Sequence, residues 1–227
     1  PREQIGEVAA RIAAVAAKLN PRLDAIACGS YRRHKASSRD MDVMLVLRGA
    51  PPGSTEHLDV LPALVPALHA EGLLTDDLTK PGHFPQFGAK TTARTSTPSI
   101  VQAENSIAYM GIALAGGLHR RIDLRCYPEH QEASALLHFT GSAQFNRFMS
   151  RAANERGYTL SELGLQPSQK KGPAERVAAA PHVALDSEHH IFEILGLLYK
   201  EPWERHDKQD VVDAATGRPY FQTREGR

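Results

Sequence analysis

The 227-residue sequence has only two cysteines, no long apolar run and almost no net charge. Cys28 and Cys126 lie in apolar, strand-like contexts without CxxC spacing, which favours small buried side chains over a disulfide or a zinc site. No stretch approaches the ~18 consecutive apolar residues of a transmembrane helix, and the N-terminal segment lacks a signal-peptide pattern. We therefore expect no membrane span and a reducing, intracellular compartment.

The charge balance excludes a strongly basic nucleic-acid-binding surface over the whole chain. A formal net charge of +1 is too small to indicate nucleic-acid binding by itself. The basic residues are nevertheless clustered, with four between Arg32 and Arg39 and three between Arg120 and Arg125. An anion-binding surface, if present, should therefore be local.

The first half of the chain mixes helical and strand patterns. Apolar residues three or four apart predict a helix over 3–19, which ends at Asn20-Pro21. Gly29-Ser30 predicts a turn between strands at 23–28 and 42–47. The remaining patterns predict a proline-shortened helix over 58–69 and strands over 73–79, 107–114 and 121–127. Residues 80–105 have no sustained period and predict a long loop, either an insertion that touches DNA or a partner, or a tolerated surface loop.

The second half is mainly helical and predicts a smaller subdomain that begins near Pro128. Ser142 is a candidate N-cap for a helix that runs to about Arg156. Residues 166–182 predict a loop, and Asp186-Ser187 introduces a helix with apolar residues on one face through Leu198. The polar residues beyond Trp203 predict frayed or extended chain.

Two carboxylates stand two residues apart in Asp40-Met41-Asp42. If this segment is extended, both point to the same face. Like charges held that close repel unless a cation lies between them, and carboxylate oxygens suit magnesium or manganese. Taken alone, such a pair is more often a solvated surface feature.

Three neighbouring features favour a functional site. Asp42 leads into an apolar strand, so the pair lies at a buried edge, where charge needs a partner. Upstream, Gly29-Ser30 could hold phosphate oxygens through backbone N–H groups and a hydroxyl. Downstream, Asp123 shares a strand face with Arg121 and Arg125, although a surface salt-bridge ladder would give the same pattern. Together these features indicate metal-dependent phosphoryl or nucleotidyl transfer.

Longer motifs extend these features. The runs GSYRR at 29–33 and SSRDMDV at 37–43 resemble the signature of the family X DNA polymerases, closest to DNA polymerase beta. The run RRIDLR at 120–125 resembles the strand that bears the family's third catalytic aspartate. The run FTGS at 139–142, followed by Phe145-Asn146, resembles its nucleotide-selection segment, and residues 186–202 resemble its C-terminal motif. The matches follow the family's order from residue 1 to about 206.

The resemblance implies a role for each matching residue. Asp40 and Asp42 would hold two Mg2+ ions, for which Mn2+ could substitute, and Asp123 would hold the catalytic ion near the primer 3′-hydroxyl. The implied nucleotide contacts are Gly29, Ser30, Arg33, the backbone at Arg39, Phe139, Gly141 and Asn146. Arg121 and Arg125 are the implied contacts to the primer and DNA, and Arg121 would also support Asp123.

Several positions depart from the family pattern. Arg39 stands where the family usually has glycine, and His138 where it has an aromatic residue. Ala143 and Ser150 stand where an acid and an arginine are frequent. These changes leave sugar discrimination and fidelity open. No counterpart of the family's N-terminal lyase domain or helix-hairpin-helix segment is found, so we expect no lyase activity from this chain.

The resemblance implies an α/β (α+β) fold. We expect a nucleotidyltransferase palm with a mixed or antiparallel sheet at 1–128, a small α+β nucleotide-selection subdomain at 129–206, and a polar tail at 207–227. The implied activity is template-directed addition of dNTPs to gapped or primed DNA during base excision repair. We expect a monomer in the nucleus or, alternatively, the mitochondrion. A terminal transferase, another nucleotidyltransferase and a catalytically silent DNA-binding scaffold remain open alternatives, although three retained acids argue against the scaffold.

Overall fold

The computed structural model of the protein describes residues 1–79, 108–168 and 181–221. The helices are α1 (Arg2–Leu19), α2 (Gly29–Arg32), α3 (Val60–Ala70), α4 (Glu132–Thr140), α5 (Ala143–Glu155) and α6 (Glu188–Ile194). The strands are β1 (Leu23–Ala27), β2 (Asp40–Leu47), β3 (Leu74–Asp77), β4 (Ala108–Ala115), β5 (Leu118–Pro128), β6 (Tyr158–Ser161) and β7 (Gly164–Pro167). Two compact units result: the first has Pro1–Ala27 and Ala36–Glu129, the second Cys28–Lys35 and His130–Arg227.

A five-stranded sheet in the order β1-β2-β5-β4-β3 forms the framework of the first unit. β2 and β5 run parallel, and all other neighbours are antiparallel. A parallel pair needs a crossover between its strands, and the chain segment from α3 to β4 supplies it. The sheet is therefore mixed, and the predicted fold class is confirmed.

Residues of β2 and β5 alternate between the two faces of this sheet. Met41, Val43, Ile122 and Leu124 are at most 3% exposed and belong to the buried face. Helices α1 and α3 pack against the sheet and against each other. Because one face is committed to this core, the residues between these positions carry their polar side chains on the other face.

The structure differs from the sequence patterns at three elements of the first half. β2 begins at Asp40, so both carboxylates lie inside the strand. Gly29 begins a one-turn helix, not a turn, and its φ of +53° lies in the left-handed region that favours glycine. In α3, Pro62 lies in the first turn, where its missing N–H costs nothing, and Pro66 is internal.

The second unit has its own hydrophobic core. Helices α4, α5 and α6 and strand β7 contribute to a buried cluster that includes Leu137, Phe145, Met149, Leu165, Ile191 and Phe192. The sequence patterns predicted α5 and the start of α6, whereas α6 ends at Ile194, before the predicted Leu198. They missed the β6–β7 hairpin, because strands of four residues are too short for a clear alternation.

Residues 204–221, the described part of the segment beyond Trp203, are not frayed, contrary to the expectation. Lys208–Asp210 form a 3₁₀ turn, and Val211 is fully buried in the core of the second unit. Isolated bridges join Leu197 to Asp213 and Val212 to Pro219. Single apolar residues in a polar segment have no period, so only packing shows that this segment is held in place.

Some predictions concern residues that the structure does not describe. The predicted loop at 80–105 lies outside the described residues, as does most of the predicted loop at 166–182. The subdomain boundaries at 128 and 206 stay predictions. Among the helices that the structure describes, none is both long and apolar enough to cross a membrane.

The N-cap of α5 allows a direct test of local stability. The Ser142 hydroxyl accepts a hydrogen bond from the Phe145 N–H at 3.2 Å. We expect Ser142→Ala to destabilise the protein by about 1 kcal/mol, because it removes this cap. Thermal unfolding monitored by circular dichroism should show a fall of a few degrees in Tm. Ser142→Thr keeps a capping oxygen and should lose much less, so equal losses in the two variants would contradict the cap assignment.

Candidate active site

The parallel pairing of β2 and β5 brings the predicted acids together. Asp42 is the register partner of Asp123, and Asp40 is the partner of Arg121. Residues opposite each other in a sheet share a face, and so do residues two apart on one strand. The three carboxylates and the Arg121 guanidinium therefore lie on one face of the first unit.

Arg121 contacts two of the three carboxylates. Its Nη2 donates a hydrogen bond to Asp40 Oδ2 and lies 3.3 Å from Asp123 Oδ2. Its Nε lies 3.2 Å from Asp123 Oδ1. The contact between Nε and Asp123 Oδ1 is an ion pair without hydrogen-bond geometry, since the buried Oδ1 has no hydrogen-bond partner. The guanidinium thus offsets the repulsion between the acids but leaves one oxygen of Asp123 unsatisfied.

The Asp123 carboxyl is electrostatically perturbed. Burial raises its pKa, the neighbouring Arg121 lowers it and the charge on Asp40 raises it, with a net rise above the ordinary aspartate value. Ionised Asp123 is therefore costly in the folded protein. A carboxylate held in that state gains most from a cation.

The donor set fits a hard divalent cation, although no cage is formed in advance. Three carboxylates on one sheet face, with an unsatisfied oxygen at Asp123, supply the oxygen ligands that magnesium and manganese prefer. Within residues 1–79, 108–168 and 181–221, no three Asp, Glu, His or Cys side chains are close enough to form a metal site by themselves. Arg121, which contacts Asp40 and Asp123, carries the positive charge in this arrangement.

Two further predicted residues flank the acids in the first unit. Arg125 follows Asp123 by two residues on β5 and is partly exposed on the same face. Arg39 is exposed immediately before β2, where it lines a small cavity with Ser38, Asp40 and Arg120. Both arginines extend the positive charge around the carboxylates.

The second unit holds the other predicted nucleotide contacts, on α2 and around the α4–α5 junction. Arg33, at the end of α2, donates a hydrogen bond from Nη1 to the Thr140 carbonyl oxygen. Gly141 has a φ of +72°, and a Cβ atom there would lie 3.0 Å from Arg33 Nη1. The positive φ favours glycine at this junction, and a side chain there would also have to displace the end of Arg33 slightly. Gly29 and Ser30, which begin α2, belong to the same unit.

Asn146 and Phe139 lie on either side of this junction. Asn146 is on the first turns of α5, and its Nδ2 donates a hydrogen bond to the His138 carbonyl oxygen at 2.6 Å. Its Oδ1 is buried without a hydrogen-bond partner among the described residues. Phe139 is half-buried near the end of α4. The Asn146 amide therefore has an unused acceptor, which a ligand or water could satisfy.

A buried ion network supports the same junction, and the sequence patterns did not identify it. Arg32 donates to Glu188 through both terminal nitrogens, at 3.1 and 2.6 Å, and to Thr140 Oγ1 at 2.8 Å. Arg205, whose side chain is fully buried, donates from Nη1 to Glu188 Oε1 at 2.6 Å. The basic run at 32–39 suggested an anion-binding role for Arg32, but its guanidinium is used internally. A glutamate at the start of a short apolar helix was the available signal.

Comparison with known proteins follows this architecture. The DNA polymerase beta palm family matches residues 1–129, and the DNA polymerase beta thumb family matches residues 135–206. The chain belongs to the DNA polymerase beta family. The palm match covers most of the first unit, and the thumb match lies within the second. The family predicted from the sequence motifs is therefore confirmed.

Two relatives of this family are DNA polymerases named lambda. The chain is 34% identical over 211 residues to DNA polymerase lambda of Rattus norvegicus, covering 90% of the chain and 32% of the relative. It is 28% identical over 209 residues to DNA polymerase lambda of Arabidopsis thaliana, covering 91% of the chain and 36% of the relative. The chain thus spans about a third of the length of each relative.

Proposed function

We propose that this chain is the palm and thumb of a DNA-directed DNA polymerase that adds deoxynucleotides to a primer 3′-hydroxyl opposite a template. The observation that carries the proposal is the register of β2 and β5, which aligns Asp42 with Asp123 and Asp40 with Arg121. Nucleotidyl transfer needs negative charge on the triphosphate and on the attacking oxygen to be stabilised at one place. The palm carries its three acids on one sheet face, which supports a site for this chemistry.

Asp40, Asp42 and Asp123 are the proposed ligands of two Mg2+ ions, with Mn2+ as a substitute. When bound, such ions act as Lewis acids that activate the 3′-oxygen and neutralise the β- and γ-phosphates. Arg121 contacts both Asp40 and Asp123, which fixes these carboxylates and limits their repulsion. In the proposed mechanism Asp123 lies nearest the primer terminus, and Arg121 and Arg125 contact the DNA.

The thumb unit carries the proposed nucleotide contacts. Gly29 places backbone N–H groups of α2 without a side chain in the way, and Ser30 offers a hydroxyl. Arg33 is already oriented by its bond to the Thr140 carbonyl. Phe139 and Gly141 are proposed to border the sugar, and Asn146 to contact the base edge.

The proposed biological setting is short-gap filling in base excision repair. Gapped or primed DNA and dNTPs are the proposed substrates of a monomeric protein, in the nucleus or alternatively the mitochondrion. The relatives in rat and Arabidopsis are named DNA polymerases, which supports the polymerase activity. The repair pathway and the compartment rest on the family resemblance alone.

Extension of a labelled primer on one-nucleotide-gapped DNA tests the proposal. Each dNTP is supplied separately with magnesium, and the chain is compared with its Asp123→Asn variant. Addition that follows the template and requires Asp123 would support a DNA polymerase. Addition that ignores the template would support a terminal transferase instead. No addition, even with manganese and excess DNA, would contradict the proposal and favour a silent DNA-binding scaffold.

Arg39 offers a test of the triphosphate contact, since its side chain is exposed beside Asp40. We expect Arg39→Ala to raise the KM for dNTP roughly fivefold, because one exposed charge contact is worth about 1 kcal/mol. The Tm should stay unchanged. Lys18→Ala, which removes an exposed positive charge on α1, is the matched control and should alter neither value. An unchanged KM for Arg39→Ala would limit the contact to the backbone.

A further inference from the structure

The last residues of the thumb match hold the N-terminus of α5. The thumb family ends at residue 206, and the described structure continues to Phe221. At the point where this segment begins, Ser142 Oγ donates a hydrogen bond to the His206 carbonyl oxygen at 2.5 Å. The Ser142 N–H also donates to the Arg205 carbonyl oxygen at 3.3 Å. The N-cap residue of α5 is thus bonded to the residues that directly precede the C-terminal segment 207–221.

The C-terminal segment 207–221 holds the C-terminus of α5. Arg156, directly after the helix, donates from Nη2 to Asp213 Oδ2 at 3.0 Å, and its guanidinium carbon lies 4.2 Å from the centre of the Tyr220 ring. The other oxygen of Asp213 accepts bonds from the N–H groups of Ala215 and Thr216 at 3.1 and 2.9 Å. Asp213 therefore fixes its own loop and the end of α5 at once.

Aromatic contacts cover the middle of the helix. The Phe221 ring centre lies 5.2 Å from that of Phe148, and the guanidinium carbon of Arg151 lies 4.9 Å from the Phe221 ring centre. Residues of a helix are offset by about 100° each, which places Phe148 and Arg151 on the side opposite Asn146 and Ser150. The segment therefore contacts α5 from the side opposite Asn146.

We propose that residues 207–221 form a C-terminal brace that positions α5 for nucleotide selection. The buried Val211 anchors the brace in the thumb core. Its contacts at the C-terminal end and along one side of α5 limit rotation and sliding of the helix. Asn146 lies on α5 and Gly141 directly precedes its N-cap, so a fixed helix fixes both contacts. Binding groups act efficiently only when held in place by their supporting residues. Asp213 and Phe221 are thus positioning residues, and their role in selection rests on the proposed polymerase function.

The double variant Asp213→Ala/Phe221→Ala tests the brace in the whole chain. It removes the contacts to Arg156, Phe148 and Arg151 and leaves Val211 in the core. Amide hydrogen exchange in α5 should become about tenfold faster, because local opening is less opposed. The dNTP KM on gapped DNA should rise roughly tenfold with kcat within about twofold, because positioning is lost while the acids are intact.

Two further variants separate positioning from general damage. Arg218→Ala alters an exposed residue of the same segment and should change neither exchange nor KM. Phe221→Tyr, with Asp213 unchanged, keeps the aromatic ring. Its exchange rates in α5 and its dNTP KM should match those of the native chain. Unchanged exchange in the double variant would overturn the brace, and faster exchange with unchanged KM would overturn its role in selection. If the native chain incorporates no dNTP, the polymerase function and the selection role both fail, whereas exchange in α5 still reports whether residues 207–221 hold the helix.

Discussion

If the proposed function holds, replacing Asp123 by asparagine is expected to lower dNTP incorporation by about 10³-fold or more, because the loss of a proposed metal ligand removes several kcal/mol of transition-state stabilisation. The fold should persist. The amide keeps the shape of the carboxyl. Burial raises the pKa of this carboxyl, so its ionised form is unfavourable, and removing the charge offsets the loss of the ion pair with Arg121. Single-turnover primer extension and calorimetry on the same preparations measure the two effects.

The control for Asp123→Asn is the same chemical change at Asp76, which is exposed on β3. Asp76→Asn should leave both the rate and the Tm unchanged. The contribution of the Asp123 carboxyl to the free energy of unfolding depends on pH with a defined sign. Because folding raises the Asp123 pKa, its ionised form lowers the native stability at neutral pH, and this penalty declines as the pH falls from the folded pKa to the lower, unfolded pKa. A collapse of the fold in Asp123→Asn would show that Asp123 serves structure and not chemistry.

Glu188→Gln is expected to lower the free energy of unfolding by about 3–5 kcal/mol. Glu188 accepts hydrogen bonds from the partly buried Arg32 and from the fully buried Arg205, and a neutral amide leaves both guanidinium groups without this counter-charge. Urea titration followed by circular dichroism should show a lower midpoint with a similar slope. Glu193→Gln, an exposed change on the same helix, should have almost no effect.

Acid should reduce the difference between the native chain and Glu188→Gln. Burial raises the Glu188 pKa, but the hydrogen bonds and charges of Arg32 and Arg205 outweigh it and hold the pKa below the ordinary value of 4.5. Stability from this carboxylate is therefore complete above the unfolded pKa and is lost as the pH falls through the folded pKa. A difference that is independent of pH would show that packing, and not charge, sets the cost.

A second arm tests whether the network is needed as a charged unit. Replacing Glu188 and Arg205 together by apolar residues of similar volume should recover part of the lost stability, since no charge is then left unpaired between them. If the double variant is no more stable than Glu188→Gln, the loss of stability comes from packing around α6 and not from unpaired charge. Arg32 loses its carboxylate partner in this variant but also donates to Thr140 at the end of α4. The structure of the α4–α5 junction should therefore still change.

Several elements could be predicted because their signal is local. The helix at 2–19 follows a repeat of three and four, and the buried strand after Asp40 follows a run of apolar residues. Ser142 was recognisable as an N-cap, and Asp186-Ser187 as a helix start, because a polar residue precedes an apolar period; both serine side chains accept a helix N–H. The D-x-D spacing at Asp40 implied a shared face once the strand was assumed.

Other features had no local signal. The β6–β7 hairpin is too short for a period, and the polar segment 207–221 is held by single contacts such as that of Asp213 with Arg156. The buried network joins Arg32 to Glu188 across 156 residues of sequence, and no spacing rule links such partners. Arg32 therefore looked like one more member of a basic surface cluster.

The sequence by itself determined the family, the alternation of β2 and β5, and the identity of the acids, because these depend on residue type and on spacing within one element. Only the tertiary structure decided that Asp42 aligns with Asp123, that Arg121 contacts Asp40 and Asp123, and that the C-terminal segment packs on α5. Strand order and register follow from the burial of a common core and from the crossover between parallel strands, neither of which is encoded in a local pattern.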